Sequence, residues 1–155
     1  MTRPRYKEEA AKVGRIAEKW INNVLIKKNY NFEWHNKNGE TMSSPDFHII
    51  GSQGQNIAGI EVERKGEEYK KFLKYGLHFI ADKVNKLCVY SIPIYYYIVM
   101  GDKTIVYYKD VKSIKKYKTI RKDTLRMKNE LFYEVPIDNC KTFDFNFDAK
   151  EQYFK

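Results

Sequence analysis

Apolar and polar positions alternate along this chain with two distinct periods. From Lys7 to Lys28, Val13, Ile16, Ala17, Trp20, Ile21, Val24 and Leu25 recur at steps of three and four, with charged residues between them. That is the period of an amphipathic helix, and Asn29 is a plausible stop. The step then drops to two. Over Asn31 to Asn36, Phe32 and Trp34 fall on one face and Glu33 and His35 on the other, which predicts a short strand. Lys37-Asn38-Gly39-Glu40 is turn chemistry, a second strand is expected near Pro45 to Ile50, and Gly51 to Gln55 forms a hairpin connection to a third strand, Asn56 to Lys65, ended by Gly66. Helical spacing returns in Phe72, Leu73, Gly76, Ile80, Val84 and Leu87, predicting a second helix over 67–86. Cys88 to Ser91 and Ile94 to Met100 read as strand, and Gly101-Asp102 introduces another from Thr104 to Tyr108. The expected order is α-β-β-β-α-β-β. Beyond it, 109–128 reads as loops and short elements, and the aromatic tail from Leu131 to Lys155 as a source of edge strands.

Composition narrows the setting. At 155 residues, with 43% hydrophobic and 15% aromatic residues, the chain is expected to form one folded domain, its core spanning about 7–108 and a basic, aromatic C-terminal extension 109–155. No apolar stretch approaches the ~20 residues that span a bilayer, so no membrane partner is expected. The start of the chain lacks the apolar middle of a secretory signal. Cys88 and Cys140 share no close spacing, so neither a zinc site nor a disulfide framework is suggested, and a cytoplasmic location is the expectation. The net charge of +9 is uneven: nine Lys or Arg stand against Asp110 and Asp123 between Lys109 and Lys128. Charge alone serves a polyanion partner and a solvated lysine-rich face equally well.

The chemistry concentrates in Ser44-Pro45-Asp46-Phe47 and in Gly59-Ile60-Glu61-Val62-Glu63-Arg64-Lys65-Gly66. In a strand, Glu61, Glu63 and Lys65 share one face while Ile60 and Val62 share the other. Two acids and a lysine in a row are poor core material, but they suit a divalent cation beside a positive charge. Antiparallel neighbours lie ~5 Å apart, so a hairpin can bring Asp46 to Glu63. Their carboxylates, with a backbone carbonyl from Arg64, suit Mg²⁺ or Mn²⁺, which prefer hard oxygen ligands and retain water; one retained water is the candidate nucleophile. Lys65 can hold that water and offset charge growing on a phosphorane. Glu61 is either an outer acid of the site or an exposed strand residue. His35, His48 and His78 are scattered, with His48 on the face of Asp46, and read as ordinary surface or core histidines. The Tyr95-Tyr96-Tyr97 run and Tyr107-Tyr108 could stack on bases, but read more simply as core.

The Pro45-Asp46 and Glu63-Arg64-Lys65 pair, in this context of helix and hairpin, resembles the PD-(D/E)xK nuclease superfamily over roughly Ala17 to Tyr108. Ser44 to Phe47 with Gly59 to Gly66 looks particularly like its phage junction-resolving endonucleases. The resemblance implies an α/β (α+β) fold: a restriction-endonuclease-like αβββαβ core in which helices flank a mixed central sheet. It implies an endonuclease that hydrolyses DNA phosphodiester bonds with Mg²⁺ or Mn²⁺, either a structure-selective resolvase acting as a homodimer or a restriction- or repair-type enzyme. A non-catalytic nucleic-acid-binding module on the same fold is the alternative. Members carry a helix glutamate that completes the metal site, and Glu18, in line with Ile21 and Leu25, fits that role, with Glu9 as its competitor. Candidate phosphate contacts are Lys83, Lys86, Lys115 and Lys116, with Lys70, Lys71 and Lys74 earlier on the same expected helix.

Overall fold

A computed structural model describes residues 4–35, 45–65, 73–100, 105–124 and 127–144, with the side chains of 4–14, 143 and 144 left out. The first periodicity forms helix α1, Pro4–Lys27. Asn29 ends it in the left-handed region at φ 59°, where its short polar side chain is tolerated. Its amide donates to Ile26 O at 3.0 Å and the Tyr30 amide donates to Leu25 O at 3.1 Å, the paired bonds of a Schellman stop. Three strands follow: β1 Phe32–Trp34, β2 Phe47–Ile50 and β3 Asn56–Lys65. The β2–β3 hairpin turns at Gly54, whose φ of 79° suits a residue without Cβ.

The chain then departs from expectation. In place of one helix over 67–86 there is a strand, β4 Leu77–Ile80, followed by a short helix, α2 Ala81–Leu87. The residues that match a helical step are divided between both elements, Ile80 buried from the strand and Val84 and Leu87 from the helix, while Leu77 and Phe79 are buried at the two-residue step of the strand. Gly76, at φ 107°, turns the chain between them and what precedes. Cys88 to Ser91 is turn rather than strand. Strand β5 is Ile94–Met100, β6 is Ile105–Asp110, and helix α3 is Val111–Ile114. Strands β7 Thr119–Lys122, β8 Glu130–Val135 and β9 Lys141–Asp144 complete the order, with 3-10 turns at 73–75 and at Ile137–Asn139. The Lys37–Glu40 turn, Gly66 to Phe72, Gly101-Asp102 and the tail beyond 144 lie outside the described residues.

The fold is mixed α+β with two sheets. The larger runs β1-β2-β3-β5-β6-β9, and the smaller runs β4-β8-β7. Within the larger sheet β1, β2 and β3 are antiparallel, while β3 and β5 are parallel, joined through β4 and α2. One face of this sheet packs Phe47, Ile49, Ile60, Val62, Tyr97 and Val99 against Ala17, Ile21, Val24 and Leu25 of α1. The other face packs Ile94, Tyr96, Ile98 and Met100 against α2, α3 and the inner side of the smaller sheet. The basic stretch 109–122 is thus partly structural: Val111 and Ile114 of α3 are buried in the second core. The aromatic tail contributes an edge strand in β9, but β8 is central to its sheet. Among the described residues no helix is long and apolar enough to cross a membrane.

Candidate active site

Strand β3 has the expected alternation. Ile60 and Val62 are buried towards α1. Glu61, Glu63 and Lys65 therefore project from the opposite face. That face is covered rather than solvated, so Glu61 is buried at 2% exposure, which removes the reading of an exposed strand residue. The Lys83 ammonium of α2 lies 3.8 Å from Glu61 Oε2. Glu63 receives the Lys65 ammonium at 2.8 Å and the phenol hydroxyl of Tyr96 from the neighbouring strand. Burial alone would push the Glu63 carboxyl up, but the Lys65 and Lys83 charges and these hydrogen bonds outweigh it and hold it below the usual range. The Tyr96 hydroxyl is driven well above its ordinary value, first by burial and then by the negative charge of Glu63, so it remains a donor. Arg64, on the other face, stacks its guanidinium over Trp20 at 5.2 Å.

Asp46 precedes β2. Phe47 stands opposite Ile60, so one step further along the antiparallel register brings Asp46 to the level of Glu61. Asp46 Oδ2 accepts from the Val62 amide at 2.8 Å, and its own carbonyl accepts from the His35 amide at 2.9 Å. Pro45 lies on Gly59: a Cβ there would meet Pro45 Cγ at 2.9 Å and Ile94 Cδ1 at 2.6 Å. The proline and the glycine thus set how closely the Asp46 segment approaches β3.

Glu18 reaches this point from α1. It is 7% exposed, accepts from Trp34 Nε1 at 3.1 Å and shares a hydrogen bond with Asp46. Burial and the Asp46 charge raise the Glu18 carboxyl to about 7, against smaller opposing effects of Trp34 and Lys83. Below that pH, Glu18 is protonated and can donate to Asp46; above it, Glu18 carries its charge in a buried setting. Among the described residues, no group of three or more His, Cys, Asp or Glu is arranged to hold a metal ion. The acids stand in pairs with each other or with lysines, and Lys83 is felt electrostatically by both Glu18 and Glu63. The chain matches no family model, no curated protein and no solved structure.

The remaining expected residues scatter. Lys86 is exposed and pairs with Asp82 one turn away at 3.1 Å, while Lys115 and Lys116 are exposed just beyond α3. Lys74 is exposed over Tyr75, and Lys70 and Lys71 lie outside the described residues, as does the Glu9 side chain. The histidines are less scattered than the sequence suggests, because β1–β2 pairing sets His35 Nε2 2.5 Å from His48 Nδ1. Tyr96, Tyr97 and Tyr108 are buried, and Tyr95 and Tyr107 half-buried, as core strands require.

Sequence reasoning missed Tyr96 as the donor to Glu63, Trp34 as the donor to Glu18, and a triad from the smaller sheet. There Lys122 Nζ lies 2.6 Å from His78 Nδ1, and His78 Nε2 lies 2.9 Å from Glu134 Oε2. Tyr96 was recoverable in principle, as a phenol in a strand expected to lie in the same sheet as β3. The triad joins three strands far apart in the chain, and no local spacing signals it. An open cleft lined by Leu73, Tyr75, Tyr117, Lys118, Glu134 and Ile137 includes none of Glu18, Asp46, Glu61 and Glu63.

Proposed function

We propose that this protein is a metal-dependent nuclease that hydrolyses phosphodiester bonds, with DNA as its polymer. The observation that carries the reading is the hydrogen-bonded pair of Glu18 and Asp46 at the hairpin whose strand β3 carries Glu61, Glu63 and Lys65, with the Lys83 charge acting on both Glu18 and Glu63. Buried acids are costly unless a cation compensates them, and Glu18, pushed to about 7 beside Asp46, is the group a cation would relieve. The donor set therefore fits a hard divalent ion in kind. Asp46, Glu63, Glu18 and the Arg64 carbonyl would hold Mg²⁺ or Mn²⁺, which when bound would acidify a water and neutralise phosphate charge. The antiparallel β1-β2-β3 followed by parallel β5 also supports a restriction-endonuclease-like core.

The chain's own groups divide the remaining work. Tyr96 orients Glu63 by donating to one oxygen, leaving the other to Lys65. Lys65, anchored on Glu63, presents an ammonium to the phosphorane, where charge builds up during attack. Lys83, held at Glu61 from helix α2, offsets the acids of the site. Junction resolution is the favoured subtype, acting as a homodimer because two nicks need two sites.

The test is cleavage of labelled linear, single-stranded, flapped and four-way-junction DNA in Mg²⁺ or Mn²⁺, with EDTA as control. Asp46→Asn should cut at least about 100-fold more slowly, a loss of about 2.7 kcal/mol of transition-state stabilisation, while still binding DNA. Undiminished cleavage by that variant removes the site. Tight binding by the wild type with no cutting on any substrate replaces the nuclease with a binding module.

A further inference from the structure

Phe132 of β8 has two lysines against its ring, from opposite ends of the sequence pattern. Lys65 Nζ lies 5.6 Å from the ring centroid and Lys122 Nζ lies 4.7 Å from it. One belongs to the end of β3 in the larger sheet, the other to the end of β7 in the smaller. Both are partly buried. Each ammonium is repelled by the other, strongly enough that Lys65 is the largest influence on Lys122 after burial itself.

Folding does not leave Lys122 to find its own place. Its Nζ donates to His78 Nδ1 at 2.6 Å, and His78 Nε2 then donates to Glu134 Oε2 at 2.9 Å. For both bonds to exist, His78 must be neutral, with its proton on Nε2. Burial, which lowers the His78 ring against the raising effect of Glu134, favours that form. Lys118 holds the other oxygen of Glu134 at 3.2 Å. The four groups come from all three strands of the smaller sheet or the turn leading into it: His78 from β4, Glu134 from β8, Lys122 from β7 and Lys118 just before β7.

Glu63, Glu130 and Glu134 offset part of the charge on Lys122, but burial and the neighbouring Lys65 outweigh them, and an incoming anion would ease that repulsion further. A neutral imidazole is a weak electrostatic partner for an ammonium, so it orients Lys122 without cancelling its charge. Glu63 already engages Lys65 at 2.8 Å. We propose that Lys65 and Lys122 form a two-lysine clamp for a backbone phosphate, with His78 and Glu134 as positioning residues for Lys122. This rests on the nuclease reading for its ligand, a nucleic-acid phosphodiester, and it assigns the smaller sheet a part in gripping substrate.

The test measures binding apart from catalysis, on the full chain in EDTA, with fluorescent duplex and four-way-junction DNA over a series of salt concentrations. Lys122→Met keeps the stem on Phe132 and removes the charge. It should weaken binding about tenfold near 0.1 M salt and lower the slope of log affinity against log salt by about one on duplex. Lys122→Arg should restore the slope. His78→Phe should weaken binding less than Lys122→Met and leave Lys122→Met unchanged when combined with it, because its effect passes through Lys122. An unchanged slope in Lys122→Met, with the wild type binding DNA, overturns the clamp and leaves the nuclease reading standing. A wild type that neither binds nor cuts nucleic acid overturns both. A His78→Phe loss that adds in full to Lys122→Met overturns the positioning role alone.

Discussion

The two sheets each bury a charged cluster, and they assemble it in different ways. In the larger sheet Glu63 and Lys65 are two residues apart on one strand, so strand geometry alone places them on the same face, where Lys65 Nζ and Glu63 Oε2 meet at 2.8 Å. In the smaller sheet Lys122 meets His78 across 44 positions of sequence, and His78 meets Glu134 across 56. The first arrangement is local and survives any fold that makes β3 a strand. The second exists only if β4, β8 and β7 pair in their observed register, with His78 opposite Glu134 and Ile120 opposite Phe132. A local cluster marks chemistry that a sequence can carry by itself, whereas a dispersed one needs the whole fold to hold it.

The largest effect should come from separating the two acids of the local cluster. Glu63→Gln removes the charge that engages Lys65 and should slow DNA cleavage by about 100-fold or more, equivalent to about 2.7 kcal/mol. Glu61→Gln, altering the acid that faces Lys83, should cost about tenfold under the same single-turnover assay. Losses of equal size would make Glu61, which stands level with Asp46, a ligand in its own right.

Glu18 joins the local cluster from outside it, and its pH dependence can be separated from activity. Its folded-state value of about 7 lies above the ordinary 4.5, because burial and Asp46 disfavour its charge. The folded protein therefore binds the proton more tightly than the unfolded chain does. Stability from this group is fully present below pH 4.5 and is lost as pH rises through 7, in total roughly 3 kcal/mol. Urea unfolding in EDTA between pH 4.5 and 8 should show that decline, and Glu18→Gln should flatten it. A slope unchanged in the variant would mean that Glu18 does not carry the proton.

How far the sequence reached follows the same division. Strand β3 and strand β5 fall within the expected spans, and α1 is closed at Asn29 as expected, since alternation and helical periodicity act over a few residues. The 67–86 helix fails because Ile80, Val84 and Leu87 keep a helical step although Ile80 ends a strand and only Val84 and Leu87 belong to a helix. Short apolar runs are ambiguous between the two, and what decides here is pairing with β8, 50 residues later. The juxtaposition of Glu63 and Lys65 was legible because alternation within one strand sets it, and the approach of Asp46 to β3 because the β2–β3 hairpin sets it. Tyr96, Lys122 and His78 were not, because tyrosine, lysine and histidine are ordinary in strands until a partner arrives from elsewhere. Glu61 was half-legible: its face followed from alternation, but its burial depends on α2 and the smaller sheet covering that face.

Two glycines put this division to a test of stability, Gly59 within the larger sheet and Gly76 just before the first strand of the smaller. At Gly76, φ is 107° and a Cβ would lie 2.8 Å from the Val135 carbonyl oxygen, so Gly76→Ala meets both backbone strain and an atom that cannot rotate away. It should cost about 2–3 kcal/mol and loosen β4 against β8, weakening DNA binding through Lys122 while Asp46 and Glu63 keep their places. At Gly59 the backbone is ordinary, and an added Cβ meets the flexible end of Ile94 and the ring of Pro45. Gly59→Ala should therefore cost less, about 1–2 kcal/mol. Its effect on cleavage should nevertheless exceed its effect on binding, because the atom that must move belongs to the residue before Asp46. Thermal unfolding gives the first pair of values, and cleavage against binding gives the second. If Gly59→Ala slowed cleavage no more than Gly76→Ala, the contact of Pro45 with Gly59 would be packing alone, without a part in placing the aspartate.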